Sequence, residues 1–561
     1  MKLALALLLV ASSAAYAQPV PGSGDDNVRE VLIYPYFTNV ELPVLAMHGG
    51  NPEDTVLLFD GFELPSLFHP GGLRSISTPG AIGEIELLPG AFGVEYGRGS
   101  SIVSLSSADG MPRNFGDVTA FDATAHLWMP GRKHSVLGLR STMLSFRYGW
   151  DGFTRPSKLV GGDYLDAVFR QEFDLSNRWS LAESGLFAND DARLLARGVL
   201  TAAYKTATWR ASVAASAMSL ASADLGQLAF DSRAEVIRMA DSSAGLTKLE
   251  WRLGQQTNSS QFEFGASENP TKRWRHDIAG WSSIAANLSK DIRATVGLRV
   301  DNFNGDVATQ PRGSLIVQPI KELTVALAAG AYRRPPTQAS ELAFDLNPER
   351  ATHVAVGTTY NEPGLRINAI AYYIDRTRLV VHDQLGELHN TGFGTSMGVE
   401  AIAQLRGDSW FGTLSSALTR SKRFDYERAK ERPAEYEQPF RLDAIAGRSW
   451  RRWIFSARLQ LASGLPYTPY TGAVYNSDTD TYEPLYVPPL SARTPFHHQV
   501  DVRVDYRLVK RSKLVIDGFI DLHNAYRNRG AIGYQYSYDY SERTPITALP
   551  LFPFVGLRAY L

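Results

Sequence analysis

The sequence predicts an all-β membrane protein, a transmembrane antiparallel β-barrel of about 22 strands. From about residue 117 onward, segments of about ten residues alternate apolar and polar side chains and are separated by turn residues, which is typical of such a barrel. The 25 Tyr, 26 Phe and 10 Trp suit aromatic girdles at both membrane interfaces. No apolar run of about 18 residues follows the N-terminus, so no transmembrane helix is predicted.

The first residues predict export. Lys2 gives a positive start, residues 3–10 are an unbroken apolar run, and Ala15-Tyr16-Ala17 is a small-x-small cleavage site. We therefore expect a cleavable signal peptide over residues 1–17. The chain has no Cys, which excludes disulfides, thiolate metal sites and a lipid-modified N-terminal cysteine.

The barrel strands follow from the alternation. In one of them Val500, Val502 and Val504 share a face that suits lipid, whereas Asp501 and Arg503 share a face that suits an aqueous lumen. A barrel of about 22 strands has a lumen wide enough to need a plug. The predicted strands lie near residues 117–128, 134–148, 163–174, 178–189, 195–206, 208–220, 243–253, 258–267, 274–288, 291–303, 310–318, 322–332, 351–360, 364–382, 395–405, 409–421, 438–449, 451–462, 496–507, 511–523, 531–540 and 551–561.

Residues 56–105 form a run of short apolar strands, each broken by a specific turn. Asp60-Gly61 accepts the positive φ of a tight hairpin. Residues 84–87 alternate acidic and apolar side chains before the turn at Pro89-Gly90. The motif residues of this region are Asp60, Gly61, Gly71, Gly72, Glu86, Gly90, Tyr96 and Gly97.

In order, LLFDG, FHPGGL, AIGEIELLPGAF and EYGRGS resemble the plug domain of TonB-dependent outer-membrane receptors. The segments NPERATHVAVGTTY, SGLPYTP and IDLHNAYRNRG resemble the barrel of the same family. The resemblance implies a small mixed plug inside the barrel lumen. It also implies a periplasmic segment over residues 18–43, a plug over 44–114 and a barrel over 115–561.

The C-terminal strand resembles the recognition strand of outer-membrane barrels. Val555, Leu557, Ala559 and Leu561 alternate with their neighbours, although the family usually ends in Phe or Trp. The resemblance implies surrounding outer-membrane lipid and the barrel-assembly machinery as a partner during biogenesis. An ordinary edge strand remains the alternative, because alternation alone is common.

Receptors of this family bind a scarce solute at the cell surface and import it when the TonB energy-transducing complex pulls on the plug. The resemblance therefore implies an outer-membrane receptor with an unknown solute and no cofactor. The net charge of -1 argues against a nucleic-acid partner. No motif predicts a catalytic or metal site, so we expect no enzyme. The candidate TonB box is Arg29, Glu30, Val31, Leu32 and Ile33, and a short plug strand is the alternative for these residues.

Candidate ligand contacts lie at the predicted plug apex and on the largest predicted loop. At the apex they are Phe68 and His69. On the loop, aromatic faces with hydroxyl tips suit sugars and flat chelates, although packing tyrosines are commoner. The loop candidates are Tyr467, Tyr470, Tyr475 and Tyr482.

Two other groups of residues favour structural roles. Tyr534, Tyr536, Tyr538 and Tyr540 recur with a period of two and are predicted to belong to the barrel wall. Residues 333–336, with the sequence Arg-Arg-Pro-Pro, open a charged segment that either closes over a ligand or is solvated, and we favour the solvated loop.

Several plug residues depart from the family pattern. His48 stands where the family commonly has Arg, Gly83 replaces a Glu, and Pro89 replaces a basic residue, while Glu86 remains. In the family such charges pair with lumen residues of the barrel. The alternative function is therefore a non-transporting plugged barrel that serves as a structural or docking component of an envelope complex.

Overall fold

The computed structural model contains a small mixed sheet enclosed by a closed antiparallel barrel. Among the described residues, no α-helix has the length and hydropathy that a membrane crossing requires. The structure describes residues 10–11 and 46–561, except 70–73, 79, 98, 109–113, 120–121, 130–134, 143–162, 223–224, 241–248, 265–270, 337–345, 383–386, 427–428, 486 and 548–549.

The mixed sheet is the predicted plug. Its strands are β1 (Val10–Ala11), β2 (Thr55–Phe59), β3 (Phe62–Leu64), β4 (Ile82–Leu88) and β5 (Ser101–Ser107), and a 3₁₀-helix, Pro52–Asp54, precedes β2. The spatial order is β1-β4-β5-β2-β3, with β2 and β5 parallel and the other neighbours antiparallel. β1 belongs to the predicted signal peptide.

The turn between β2 and β3 confirms the predicted hairpin. Asp60 has a φ of 48° and Gly61 a φ of 86°, the left-handed conformations that a two-residue hairpin turn needs. The Asp60 carboxylate also accepts hydrogen bonds from the Ser107 backbone N–H at 2.8 Å and the Ser107 hydroxyl at 2.7 Å. One residue therefore sets the turn and joins it to β5.

Within the described part of the chain, twenty-two strands close into the barrel, as predicted. The closing ladder pairs the last strand with the first, with Tyr560 opposite Phe115. The barrel strands are β6 (Phe115–Thr119), β7 (Asp122–Met129), β8 (Ser135–Thr142), β9 (Tyr164–Asp174), β10 (Trp179–Asp190), β11 (Arg193–Lys205), β12 (Trp209–Ser222), β13 (Leu225–Ala240), β14 (Leu249–Phe264), β15 (Thr271–Asn287), β16 (Ile292–Phe303), β17 (Asp306–Ile320), β18 (Leu323–Arg334), β19 (Glu349–Glu362), β20 (Leu365–His382), β21 (Leu388–Arg406), β22 (Trp410–Phe424), β24 (Phe440–Trp450), β25 (Trp453–Ala462), β30 (His497–Lys510), β31 (Val515–His523) and β34 (Phe552–Tyr560).

The two barrel ends differ in their connections. The long connections 463–496 and 524–551 lie at one end, and short turns such as 451–452 and 511–514 lie at the other. Because outer-membrane barrels have short periplasmic turns and longer extracellular loops, the first end faces the cell exterior. The remaining strands lie in these long connections or beside β22, and they are β23 (Arg432–Pro433), β26 (Pro466–Tyr467), β27 (Ala473–Asn476), β28 (Thr481–Pro484), β29 (Ala492–Arg493), β32 (Ala531–Tyr536) and β33 (Arg543–Thr547).

In β30, charged and apolar side chains lie on opposite faces, as predicted. Asp501 and Arg503 are fully buried in the lumen, whereas Val500, Val502 and Val504 are only half-buried on the outer face. The plug fills that lumen. Its buried side chains and inward barrel side chains form one apolar cluster, which includes Phe59, Phe62, Leu105, Val168 and Leu186.

Four strand assignments were wrong, although the total was right. Residues 117–128 form the hairpin of β6 and β7, and β13 was missed entirely. Conversely, 243–253 and 258–267 belong to the single strand β14, whose polar centre looked like a turn but lies in the barrel wall. The two strands gained, from the division of 117–128 and from β13, offset the two lost, from the merging into β14 and from 531–540.

The strand predicted at 531–540 is not a barrel strand. β32 pairs only with β33, and this hairpin lies in the extracellular connection before β34. Tyr534, Tyr536, Tyr538 and Tyr540 are therefore not wall residues. Their period of two arises from a loop hairpin, because alternation does not depend on whether a strand joins the barrel.

Candidate functional site

The predicted plug apex is fastened to the barrel by His69. Its Nδ1 lies 2.8 Å from Asp190 Oδ2 and its Nε2 lies 2.9 Å from Asp166 Oδ1. The imidazole is buried, which opposes its protonation, but the hydrogen bonds to Asp166 and then Asp190 outweigh burial and raise the pKa of His69. His69 is thus a contact between the plug and the walls of β9 and β10.

Further contacts hold the same segment. Arg193 donates a hydrogen bond to the Phe68 carbonyl, and Arg140 donates one to the Ser75 carbonyl. Arg74 Nε lies 2.8 Å from the Asp122 carboxylate. The described part of the apex is therefore anchored on β7–β11, one side of the lumen.

A cavity of about 480 Å³ lies beside the apex. Phe68 lines it from the plug, and Met218 and Phe262 line it from β12 and β14. Charged side chains of both signs also reach its wall, including Arg275 of β15 and Glu63 of β3. Of the two apex candidates, Phe68 thus lies at a cavity, whereas His69 is engaged by two aspartates.

The candidate loop tyrosines contact tyrosines that the sequence pattern assigns to the barrel wall. The Tyr467 and Tyr534 ring centroids are 4.6 Å apart, and the Arg543 guanidinium lies 4.3 Å from the Tyr534 ring. Arg543 also donates a 2.7 Å hydrogen bond to the Tyr467 hydroxyl. Tyr470 packs edge-on against Tyr536 at 5.4 Å.

A second group of tyrosines lies farther out. Tyr482 is 5.2 Å from Tyr475 and 5.4 Å from Tyr538, measured between ring centroids. Tyr475 and Tyr538 are half to two-thirds exposed. The two extracellular loops therefore share an aromatic surface that sequence periodicity had divided between a loop and the barrel wall.

The plug motif residues form contacts of several kinds. The Tyr96 hydroxyl donates a 2.6 Å hydrogen bond to the Glu86 carboxylate. A Cβ at Gly90 would lie 3.1 Å from His353 Nδ1, and a Cβ at Gly97 would lie 3.0 Å from Arg299 Nη2. Both glycines thus let the plug backbone approach the barrel closely. Gly71 and Gly72 lie outside the described residues, as do the TonB-box candidates Arg29, Glu30, Val31, Leu32 and Ile33.

Two of the positions that depart from the family pattern, His48 and Gly83, lie in close contact with neighbouring residues. His48 Nε2 lies 3.7 Å from Glu400 Oε2, and its ring centroid is 3.7 Å from that of Tyr372. A Cβ at Gly83 would lie 2.9 Å from the Ala108 Cα, so a glutamate does not fit there without movement of the backbone. The family charges at these positions are thus replaced by a buried histidine and a close backbone contact.

Sequence reasoning missed the barrel arginines that hold the plug. Asp54 Oδ2 lies 3.4 Å from Arg423 and 3.9 Å from Arg376, and Asp54 Oδ1 lies 3.7 Å from Arg334. The preference for a solvated loop at residues 333–336 was wrong for its arginines, because Arg333 and Arg334 are buried at the end of β18. The sequence feature that could have identified these contacts is arginine at the lumen-facing positions of the barrel strands.

A second set of arginines holds plug residues 93–97. Arg312 Nη1 donates hydrogen bonds to the Gly93 carbonyl at 2.6 Å and the Tyr96 carbonyl at 2.7 Å. Arg252 forms an ion pair with Glu95 at 2.7 Å. Because most of these bonds end on backbone carbonyls, the plug side chains did not predict them.

Comparison with known proteins agrees with this architecture. A family model described as TonB dependent receptor-like, beta-barrel, matches residues 99–519, more than half of the chain. The FrpB iron transporter from Neisseria meningitidis (F5-1 variant) has a TM-score of 0.73 at 12% identity, covering 97% of this chain and 99% of that chain. The siderophore receptor PirA from Acinetobacter baumannii has a TM-score of 0.73 at 10% identity, covering 97% and 96%. The outer membrane transporter YddB from Escherichia coli has a TM-score of 0.72 at 10% identity, with the same coverage. No curated protein matches the sequence.

Proposed function

This chain belongs to the TonB-dependent receptor family, and on that premise we propose that it binds a scarce solute at the cell surface and imports it across the outer membrane. The family and the fold make it an outer-membrane receptor of the transport class and not an enzyme. What we propose is the site, the solute class and the coupling.

The cavity of about 480 Å³ beside the plug apex carries the proposal. Ligand cavities are commonly about 300–1,000 Å³, so a small solute fits between Phe68 and the wall. The tyrosines of the two extracellular loops suit a first contact at the surface, because each offers an aromatic face and a hydroxyl. Tyr467, Tyr470, Tyr475 and Tyr482 are the residues we assign to that role.

Iron chelates are the first solute class to test. FrpB is titled an iron transporter and PirA a siderophore receptor. At 10–12% identity this likeness supports the fold, so the choice of solute belongs to the proposal. Coupling is assigned to residues 29–33 as the segment on which the TonB complex pulls.

Uptake by a complemented deletion strain tests the site. We expect the wild type to restore uptake of at least one labelled iron chelate or other nutrient in a panel. Gln227→Trp, which fills the cavity wall, should lower that uptake by about tenfold or more, the effect of about 1.4 kcal/mol of lost binding. Gln535→Trp, on the exposed face of the loop hairpin, is the matched control.

Both variants must show the heat-dependent gel migration of a folded barrel. Failure of the wild type to restore uptake of any solute would overturn the proposed import function. Equal uptake by Gln227→Trp and Gln535→Trp would overturn the cavity as its site.

Deletion of residues 27–36 tests the coupling. We expect uptake to stop while the barrel remains folded and abundant on an immunoblot. Persistent uptake would exclude energised transport through this segment. A folded barrel whose loss affects an envelope complex but no solute would favour the docking component instead.

A further inference from the structure

Three cavities follow one side of the plug from the cell exterior toward the periplasm. The upper cavity, of about 480 Å³, touches Asn258 and Phe262 of β14. The middle cavity, of about 60 Å³, touches Gln256 and Asn258 of the same strand. The lower cavity, of about 100 Å³, touches Glu250 and Arg252. Since β14 runs from the periplasmic end to the exterior, the cavities are stacked along it.

The stack is long enough to cross the membrane. Glu250 and Phe262 are twelve positions apart on β14, which is about 40 Å along a strand. With the usual tilt of about 40°, this corresponds to about 30 Å along the membrane normal, the thickness of the hydrocarbon core. The lower cavity therefore lies at the level of the periplasmic leaflet.

Neighbouring cavities share side chains. Val56, Glu63 and Asn258 line both the upper and the middle cavity, which therefore adjoin between β2, β3 and β14. Tyr96 lines both the middle and the lower cavity. Tyr96 thus lies where the middle cavity meets the lower one.

Tyr96 is held in that place by both the plug and the barrel. Its hydroxyl donates a 2.6 Å hydrogen bond to Glu86, and its carbonyl accepts a 2.7 Å hydrogen bond from Arg312. The neighbouring Glu95 is joined to Arg252 of β14 at 2.7 Å. Movement of residues 93–97 away from the wall would therefore connect the middle and lower cavities.

Charged side chains interrupt the mostly apolar walls of all three stacked cavities. Each has charged side chains of both signs in its wall, so a hydrophilic solute meets hydrogen-bonding partners at every level. One opposite pair at each level is Arg275 and Glu63 above, Arg299 and Asp301 in the middle, and Arg252 and Glu250 below. On the β7–β11 side, by contrast, buried ion pairs such as Arg74 with Asp122 join the plug to the wall.

We propose that the solute crosses along the β14 wall through these three cavities and that Tyr96 closes the passage between the middle and the lower one. This inference rests on the proposed import function. It assigns Tyr96 a gating role and Glu86 and Arg312 a positioning role. The β7–β11 side of the plug stays in contact with the barrel.

Thiol labelling tests the route, because the native chain has no Cys to interfere. Gln256→Cys reports on the middle cavity and Ser283→Cys on the lower one. Ser415→Cys, buried on β22, is the matched control. With a membrane-impermeant methanethiosulfonate added to intact cells, we expect labelling at 256 but not at 283 or 415.

The gate is tested by adding Tyr96→Ala to each cysteine variant. We expect labelling at 283 to rise at least tenfold while labelling at 415 stays at background. Labelling at 415 equal to that at 283 would mean general loosening of the plug and would overturn the route. Unchanged labelling at 283 would overturn the gate. If Tyr96→Ala does not fold, Tyr96→Leu shortens the same side chain and is judged by the same criteria.

Conductance of potassium chloride through planar bilayers gives a second readout. Tyr96→Ala should conduct where the wild type does not, and Tyr164→Ala, a buried tyrosine beside His69, should remain closed. Conduction by Tyr164→Ala alone would place the passage on the other side of the plug. Since neither ions nor the thiol reagent depend on the natural solute, these experiments can fail or succeed independently of the uptake assay.

Discussion

His69 and His48 both join the plug to the barrel, and the barrel shifts their pKa values in opposite directions. His69 lies between the carboxylates of Asp166 and Asp190, and its pKa is raised although burial opposes protonation. Burial, reinforced by the Arg376 guanidinium, lowers the pKa of His48 to about 3. One residue type therefore gives a contact that favours the protonated imidazole at the apex and one that favours the neutral imidazole at the first plug turn.

The difference comes from the charges on the lumen wall. Arg376 belongs to the group of arginines around Asp54, six residues after His48. A positive histidine beside that group would be repelled, whereas a neutral one packs against Tyr372 at 3.7 Å. The barrel wall, more than the plug residue, therefore decides which protonation state of the histidine a contact between the two favours.

The largest expected effect is that of Asp54→Asn. It removes a carboxylate shared by Arg376 and Arg423, whereas Arg334 keeps its closer 2.9 Å pair with Glu349, and loss of one partner from a buried ion pair costs about 3–5 kcal/mol. Urea unfolding of the purified protein measures the loss of unfolding free energy. Asp191→Asn, in an exposed turn, is the matched control and should leave stability unchanged. An equally small effect of both variants would contradict an ionic anchor at Asp54.

A smaller effect is expected for His69→Gln. The glutamine cannot bridge Asp166 and Asp190 as the imidazole does, and hydrogen bonds to charged groups contribute about 1.5–3 kcal/mol. His48→Gln is the comparison variant. Its contact with Glu400 is 3.7 Å long, beyond hydrogen-bond distance, so we expect a smaller loss of unfolding free energy than for His69→Gln. A loss at His48 equal to that at His69 would remove the distinction between the two contacts.

The sequence predicted the barrel better than the way in which it holds its plug. Alternation identified most strands because lipid and lumen impose opposite demands on successive residues, as β30 shows with Val502 and Arg503. The alternation pattern failed where lipid and lumen do not impose such opposite preferences on successive residues. β14 was divided at its polar centre, and the short β6 merged with β7.

The contacts between plug and barrel could not be predicted from the sequence. Arg312 and Tyr96 are 216 residues apart and bond through a backbone carbonyl, for which no side-chain motif exists. The loop tyrosines illustrate a related limit. Tyr467 was proposed for the loop and Tyr534 for the wall, yet their rings lie 4.6 Å apart, because register among loop hairpins is set by tertiary contacts.

The smallest expected effect is on the pH dependence of stability, where the two histidines should act in opposite directions. A histidine with a raised pKa stabilises the folded protein fully below its unfolded pKa of about 6.5, and the contribution is lost as pH rises through the folded pKa. A histidine with a pKa of about 3 in the folded state costs stability as pH falls below about 6.5. Each slope is at most about 1.4 kcal/mol per pH unit.

Urea unfolding between about pH 5 and about pH 9 separates the two slopes, because each variant should remove one of them. His69→Gln should flatten the alkaline side of the stability profile and leave the acidic side unchanged. His48→Gln should flatten the acidic side only, since the proton that the unfolded wild type takes up there would no longer have a binding group. Loss of the alkaline slope in His48→Gln would show that the barrel does not set the charge of the two histidines independently. Because both variants keep a polar side chain of similar size, such a result could not be attributed to a cavity in the plug.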